Sequence, residues 1–290
     1  MEGELWKEIY RVVRVVSKKH PSRAGCTYTD AEIVLVHLWA VLHDRPREWA
    51  TVAANWHGSG QRPRLPSNST VSRRMPTPSV QALLQAVEHH LRDQFPPDAC
   101  RFIDAKPLPI GGCGQDRDAT YGRAAGCHAK GYKLYVIASN SGGFLAWAVY
   151  PMSRNEIKVA PELIAQLDRP GYLVGDAAYD ANRLYDDAAQ RQTQLLAPRR
   201  KTAKGLGHIP HSPSRLKGIE LIQTPLGKQL LHQRDAVERL FGQLTTIYCG
   251  LGPLPNWVRG LPRVRNWVRG KMIIFAIQSH LAGWDSTGPP

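Results

Sequence analysis

Three carboxylates stand apart from the other acids of this chain, because apolar sequence carries each of them. Asp104 closes Arg-Phe-Ile-Asp, Asp176 closes Tyr-Leu-Val-Gly-Asp, and Glu238 lies within Ala-Val-Glu-Arg-Leu-Phe. They are 72 and 62 residues apart, so they belong to distant elements. Each is expected to approach the edge of one sheet. Converging carboxylates repel one another and are costly to bury unless a cation joins them. Oxygen donors with no His or Cys beside them favour Mg2+ or Mn2+. Two such ions about 4 Å apart hold the attacking and leaving oxygens of a phosphodiester in line. Other acids, such as Glu162, Asp168, Asp186 and Asp187, read as solvated positions. An aspartate after a strand can also be a helix N-cap, but Asp180, ahead of Ala-Asn-Arg-Leu-Tyr, suits that role better and leaves Asp176 free.

The charge distribution supplies the complement. The chain has 290 residues, 38 Lys and Arg against 24 Asp and Glu, and a formal net charge of +14. Such a surplus calls for a polyanionic partner or an acidic surface. Acids are missing from four long windows: 49–87, 119–155, 188–219 and 239–284. These windows carry Arg73 and Arg74, then Lys130, then Arg199, Arg200, Lys201 and Lys204, and finally Arg263, Arg265 and Arg269. Their spread along the chain suggests an extended surface that tracks phosphates rather than one basic tail, although overall charge alone would suit a ribosomal protein equally well. The apolar stretches near 33–42 and 272–277 are too short to span a bilayer. The acidic start, Met1-Glu-Gly-Glu, is unlike a secretory signal. Five scattered cysteines fit reduced thiols in a cytoplasm, and Cys113, Cys127 and His128 lack the paired spacing of a zinc site.

The elements that must position these groups follow from periodicity. Residues 1–95 read as an all-helical domain. Leu5, Ile9, Val12, Val13 and Val16 recur at helical spacing, and Thr29-Asp-Ala-Glu32 is a capping box. A short helix follows Pro46, and a long one closes the domain before Pro96-Pro97. Between them, Ser-Asn-Ser-Thr-Val-Ser-Arg-Arg-Met is similar to the recognition helix of a helix-turn-helix, which puts Arg73 and Arg74 on DNA. From residue 98 to 282 the order is strand, strand, strand, helix, strand, helix, strand, helix, the pattern of a mixed sheet with helices on its faces. The first strand is short and ends at Asp104; residues 105–130 read as a long loop, and a basic loop runs to about 220. A single long helix is expected from Lys228 to Ile247. Asn-Trp-Val-Arg-Gly occurs at 256–260 and again at 266–270, two basic–aromatic stretches that could face DNA, with packing favoured over base stacking for Trp257 and Trp267. Residues 283–290 form a short tail.

In "FIDAKP", "HAKGYKLYVIASNSGGFLAWAVYP", "GDAAYDANRLY" and "RDAVERLFGQL" the chain resembles the DDE transposases of bacterial insertion sequences, over about 98–280. The resemblance implies an RNase H-like catalytic domain in which Asp104, Asp176 and Glu238 are the metal ligands, with two Mg2+ or Mn2+ ions per site. It implies hydrolysis at transposon ends, followed by attack of the freed 3′-hydroxyl on target DNA, by a homodimer or higher oligomer on paired ends. Arg234 matches the arginine of the family's helix signature, which contacts DNA phosphate or orients the glutamate, and its i, i+4 spacing allows a pair with Glu238. One branch of the family has Tyr and Lys where this chain has Leu231 and Thr245, so a hairpin step specific to that branch is not implied. A stand-alone nuclease of the same fold and a non-catalytic DNA-binding descendant are the alternatives that use the same residues.

Overall fold

The computed structural model describes residues 2–282, apart from 23, 112–114, 125, 201–204, 207, 209 and 246–248. The described residues divide into two compact units, one formed by residues up to 95 together with 243–282, the other by residues 96–242. The last long helix therefore groups with the N-terminal helices, whereas the change in sequence texture near Pro97 had suggested a single break in the chain.

The helical unit contains α1 (Glu2–Ser17), α2 (Asp30–Leu42), α3 (Asn68–Arg74) and α4 (Pro78–Arg92). α2 is the axis of this unit: all thirteen of its residues are buried. Its start is fixed by the expected capping box, Thr29 accepting from the Glu32 amide while Glu32 accepts from the Thr29 amide. α1 lays Leu5, Trp6, Ile9, Val12, Val13 and Val16 against the core. The Trp39 ring stacks on Trp56 at 4.7 Å and meets Trp6 edge-on at the same distance. The segment after Pro46 makes 3-10 turns at Trp49–Thr51 and Ala53–Trp56 rather than an α-helix.

The second unit is built on β1 (Cys100–Pro109), β2 (Thr120–Ala124), β3 (Cys127–Ser139), β4 (Phe144–Pro151), β5 (Gly171–Val174) and β6 (Thr193–Leu196), with α5 (Glu156–Ile164) and α6 (Asn182–Gln190) between strands. β1, β5 and β6 run parallel as neighbours. β3 lies antiparallel to β1, and both β2 and β4 pair antiparallel with β3. This mixed six-stranded sheet flanked by helices has the RNase H-like arrangement. Its core joins Ile103, Tyr135, Ile137 and Leu173 of the sheet to Val159, Leu163, Leu184 and Tyr185 of α5 and α6.

Four local readings change. β1 continues five residues past Asp104 and pairs with β3 as far as Pro109–Gly131, so Asp104 is a mid-strand residue. The supposed loop 105–130 contains β2 and the start of β3. The basic loop contains α7 (Pro213–Gln223), capped by Ser212. The long helix breaks at Gln233–Arg234 into α8 (Pro225–His232) and α9 (Asp235–Leu244). α10 (Leu261–Leu281) then completes the helical unit.

Candidate active site

Strand register brings the two aspartates past the same end of the β1–β5 ladder. The last paired residues of β1 and β5 are Phe102 and Val174, and Asp104 and Asp176 each lie two residues further on. Glycine at position 175 lets the Tyr179 and Ile103 side chains close on the end of β5: a Cβ there would come within 2.9 Å of the Tyr179 ring and 3.0 Å of the Ile103 side chain. Asp176 Oδ1 accepts from the Ala178 amide at 2.7 Å, capping the 3-10 turn Ala177–Tyr179. That cap fixes the carboxylate's orientation and leaves its second oxygen for another partner.

Asp104 Oδ1 accepts from the Ala105 amide at 2.8 Å. Burial pushes the Asp104 carboxyl up to about 6 against the opposing pull of that amide, and the charges of Asp176 and Glu238 push the same way while Arg234 opposes them. The second aspartate and the glutamate are thus both within electrostatic reach of the first. Glu238 sits on the exposed side of α9, where Arg234 Nη2 donates to its Oε1 at 3.1 Å. Among the described residues, no three His, Cys, Asp or Glu side chains are gathered closely enough to hold a metal ion. The donor set nevertheless fits a hard divalent cation, because Asp104 carries the cost of burial and of two like charges, which a cation would relieve.

Two further side chains belong to this site, and sequence reasoning passed over both. Tyr179 is almost fully buried, and its hydroxyl has no hydrogen-bond partner among the described residues. Burial, reinforced by the charges of Asp104, Glu156 and Asp176, holds the phenol well above its ordinary range, so it stays protonated. Lys106 follows Asp104 by two residues and so shares its strand face. Its ammonium lies 5.8 Å from the centre of the Phe241 ring on α9, and burial lowers its pKa. The only signal was spacing: a tyrosine three residues after Asp176 and a lysine two after Asp104.

Asp180 does not cap α6, whose N-cap is Ala181. Instead Arg215 of α7 grips both its oxygens, at 2.7 and 2.9 Å. Burial alone would raise Asp180, but the bonds from Arg215 and from the Arg200 amide hold it below its usual value. The Arg200 guanidinium donates to the carbonyls of Ala177 and Ala178 at 2.9 and 2.7 Å. Two arginines therefore brace the turn that follows Asp176, and Arg200 is committed there rather than free to track phosphate. Arg199 and Lys130 are half-buried in the same unit, and Lys201 and Lys204 lie outside the described residues.

Within the helical unit the expected DNA-facing arginines also separate. Arg73 is exposed, whereas Arg74 turns inward to Asp30 and to the Tyr28 carbonyl. Arg263 and Arg265 are exposed near the start of α10, while Arg269 is held by Glu88 at 3.1 Å and Gln81 at 3.2 Å.

A family model for the transposase DDE domain matches residues 96–274. The chain belongs to the DDE transposase family. The match begins with the sheet unit of the transposase and runs into α10. No curated protein and no solved structure matches the chain. Membership makes DNA the partner of this transposase and divalent metal the family's usual requirement. No helix among the described residues is long and apolar enough to cross a membrane.

Proposed function

We propose that the protein is the transposase of a bacterial insertion sequence, which binds the inverted-repeat ends, cleaves them and transfers the freed 3′ ends to target DNA. The observation that supports this reading is that Asp104 and Asp176 each lie two residues beyond the last β1–β5 pair, with the charges of Asp176 and Glu238 both acting on Asp104. Asp104, Asp176 and Glu238 would hold the metal, two Mg2+ or Mn2+ ions per site. Bound there, the ions would supply Lewis acidity and hold attacking and leaving oxygens in line.

The chain's own groups prepare that chemistry. The Asp176 cap and the Arg200 and Arg215 braces orient one ligand before DNA arrives. Arg234 neutralises Glu238 in the free protein and can pass its guanidinium to a DNA phosphate when the glutamate turns inward. Lys106, on the same strand face as Asp104 and over the Phe241 ring, offers a cation for a non-bridging phosphate oxygen. Arg73 and the exposed arginines of α10, Arg263 and Arg265, contribute to DNA binding by the helical unit, and a dimer or larger assembly pairs the ends.

The test is a full-length Asp176→Asn variant on paired duplexes that carry the repeats flanking the gene. End binding should match wild type, while strand cleavage and strand transfer disappear. A variant that still cleaves would end the metal-ligand assignment. Wild-type cutting without strand transfer or preference for ends would favour a nuclease.

A further inference from the structure

Besides the carboxylate site, the helical unit holds a pocket of about 220 Å³ whose lining includes His37, Arg47, Arg263, Trp257, Asn68 and Glu48. Its charge is lopsided. Arg47 is half-buried, and burial, joined by the positive charge of Arg263 on the same lining, lowers its pKa. Neither guanidinium has an ion-pair or hydrogen-bond partner among the described residues. Glu48, the one acid of the lining, is exposed and is paired with neither. Two cations lining one pocket without a counter-ion are an arrangement that an anion stabilises.

The pocket lining supplies a second sign. His37 is 3% exposed; its Nε2 meets the Asn266 carbonyl at 3.1 Å, and its Nδ1 has no partner among the described residues. A buried polar atom left unpaired costs stability unless something occupies the space beside it. The third sign is aromatic. Of the two Asn-Trp-Val-Arg-Gly copies, the second buries Trp267 within α10, at 5% exposure, while the first leaves Trp257 at 43% exposure on the pocket wall. Asn68 and Ser72 bring α3 to the same opening.

We infer that this pocket is a nucleotide-binding site on the helical unit, taking one backbone phosphate of DNA between Arg47 and Arg263 with the attached nucleoside against Trp257. The inference rests on DNA being the partner, and not on the three carboxylates. It adds Arg47, His37 and Trp257 to the side chains that meet DNA, and it seats that contact next to α3. Arginine suits a phosphate because its fork donates two bonds at once, and indole suits any base because every base has a stacking face.

The test uses the full-length protein and fluorescent duplex DNA across a salt series, with folding checked by thermal melting. Arg263→Gln and Trp257→Ala alter exposed side chains, and Lys19→Gln is an exposed basic control. Arg263→Gln should weaken binding on the order of tenfold, as expected for loss of a charge-assisted bond, and lower the salt slope by about 1. Trp257→Ala should weaken binding to a similar degree with an unchanged salt slope. The control should change neither, and inorganic phosphate or a free nucleotide should compete only weakly. Folded variants that bind DNA like wild type would overturn the site. Tight binding of a free nucleotide at this pocket, with DNA affinity unaffected by the variants, would make it a small-molecule site and overturn the DNA assignment. If wild type binds no DNA, the inference falls together with the DNA partner. Loss of cleavage with DNA binding intact touches only the carboxylate assignment.

Discussion

Replacing Asp104 with asparagine should stabilise the metal-free protein while it abolishes strand cleavage. The carboxyl is raised from 3.8 to about 6, chiefly by burial. A group raised in this way contributes fully below its unfolded value, and the contribution is lost as pH rises through the folded value. Above pH 6 to 7 the native state therefore bears a cost of about 2 units, or about 3 kcal/mol at 1.36 kcal/mol per unit. Asparagine keeps the oxygen that accepts from the Ala105 amide and removes the charge. Urea unfolding of both proteins in a chelator, from pH 4 to pH 8, reads the difference. It should be close to zero at pH 4 and grow to between about 2 and 3 kcal/mol in favour of the variant above pH 6.5. Added Mg2+ or Mn2+ should shrink the gap by stabilising wild type alone. A difference that stays flat with pH, or a variant less stable at pH 7.5, would refute the electrostatic account of this site.

Other substitutions separate structural cations from DNA-facing ones. Arg215→Ala leaves Asp180 without the partner that grips both its oxygens, in a pair whose side chains are 13% and 3% exposed, and should cost about 3 kcal/mol in thermal or urea melts. Because Asp180 is held below its ordinary value, its contribution is present above that value and lost as pH falls through the lowered one. The wild-type advantage over Arg215→Ala should therefore narrow in acid. Arg74→Ala should lower the melting temperature through loss of the Asp30 pair, whereas Arg73→Ala should leave it unchanged and weaken binding of transposon ends more than of random duplex.

The strands that lead to Asp104 and Asp176 were legible because a short apolar run bounded by an acid or a glycine has few other uses. The continuation of β1 was not, because Pro107 and Pro109 read as loop punctuation. α7 carried a readable start in Ser212-Pro213, hidden by the basic, glycine-containing sequence around it. The break between α8 and α9 has no Pro or Gly to mark it, and the amphipathic pattern runs straight through. Arg74 had a signal in its spacing: Val71 and Met75 are buried, and a residue between them at i+3 from Val71 shares their face. Asp180 looked like a cap because its partner, Arg215, is 35 residues away, a distance that local pattern cannot bridge. The grouping of α10 with the N-terminal helices likewise follows from tertiary contacts alone.

The most direct measurement is calorimetric titration of Mn2+ into the full-length protein bound to end DNA, for wild type, Asp176→Asn and Glu238→Gln. Wild type should take up as many as two ions per site, and each variant should lose at least one. Unchanged Mn2+ binding in either variant would contradict the claim that Asp104, Asp176 and Glu238 act as one metal site.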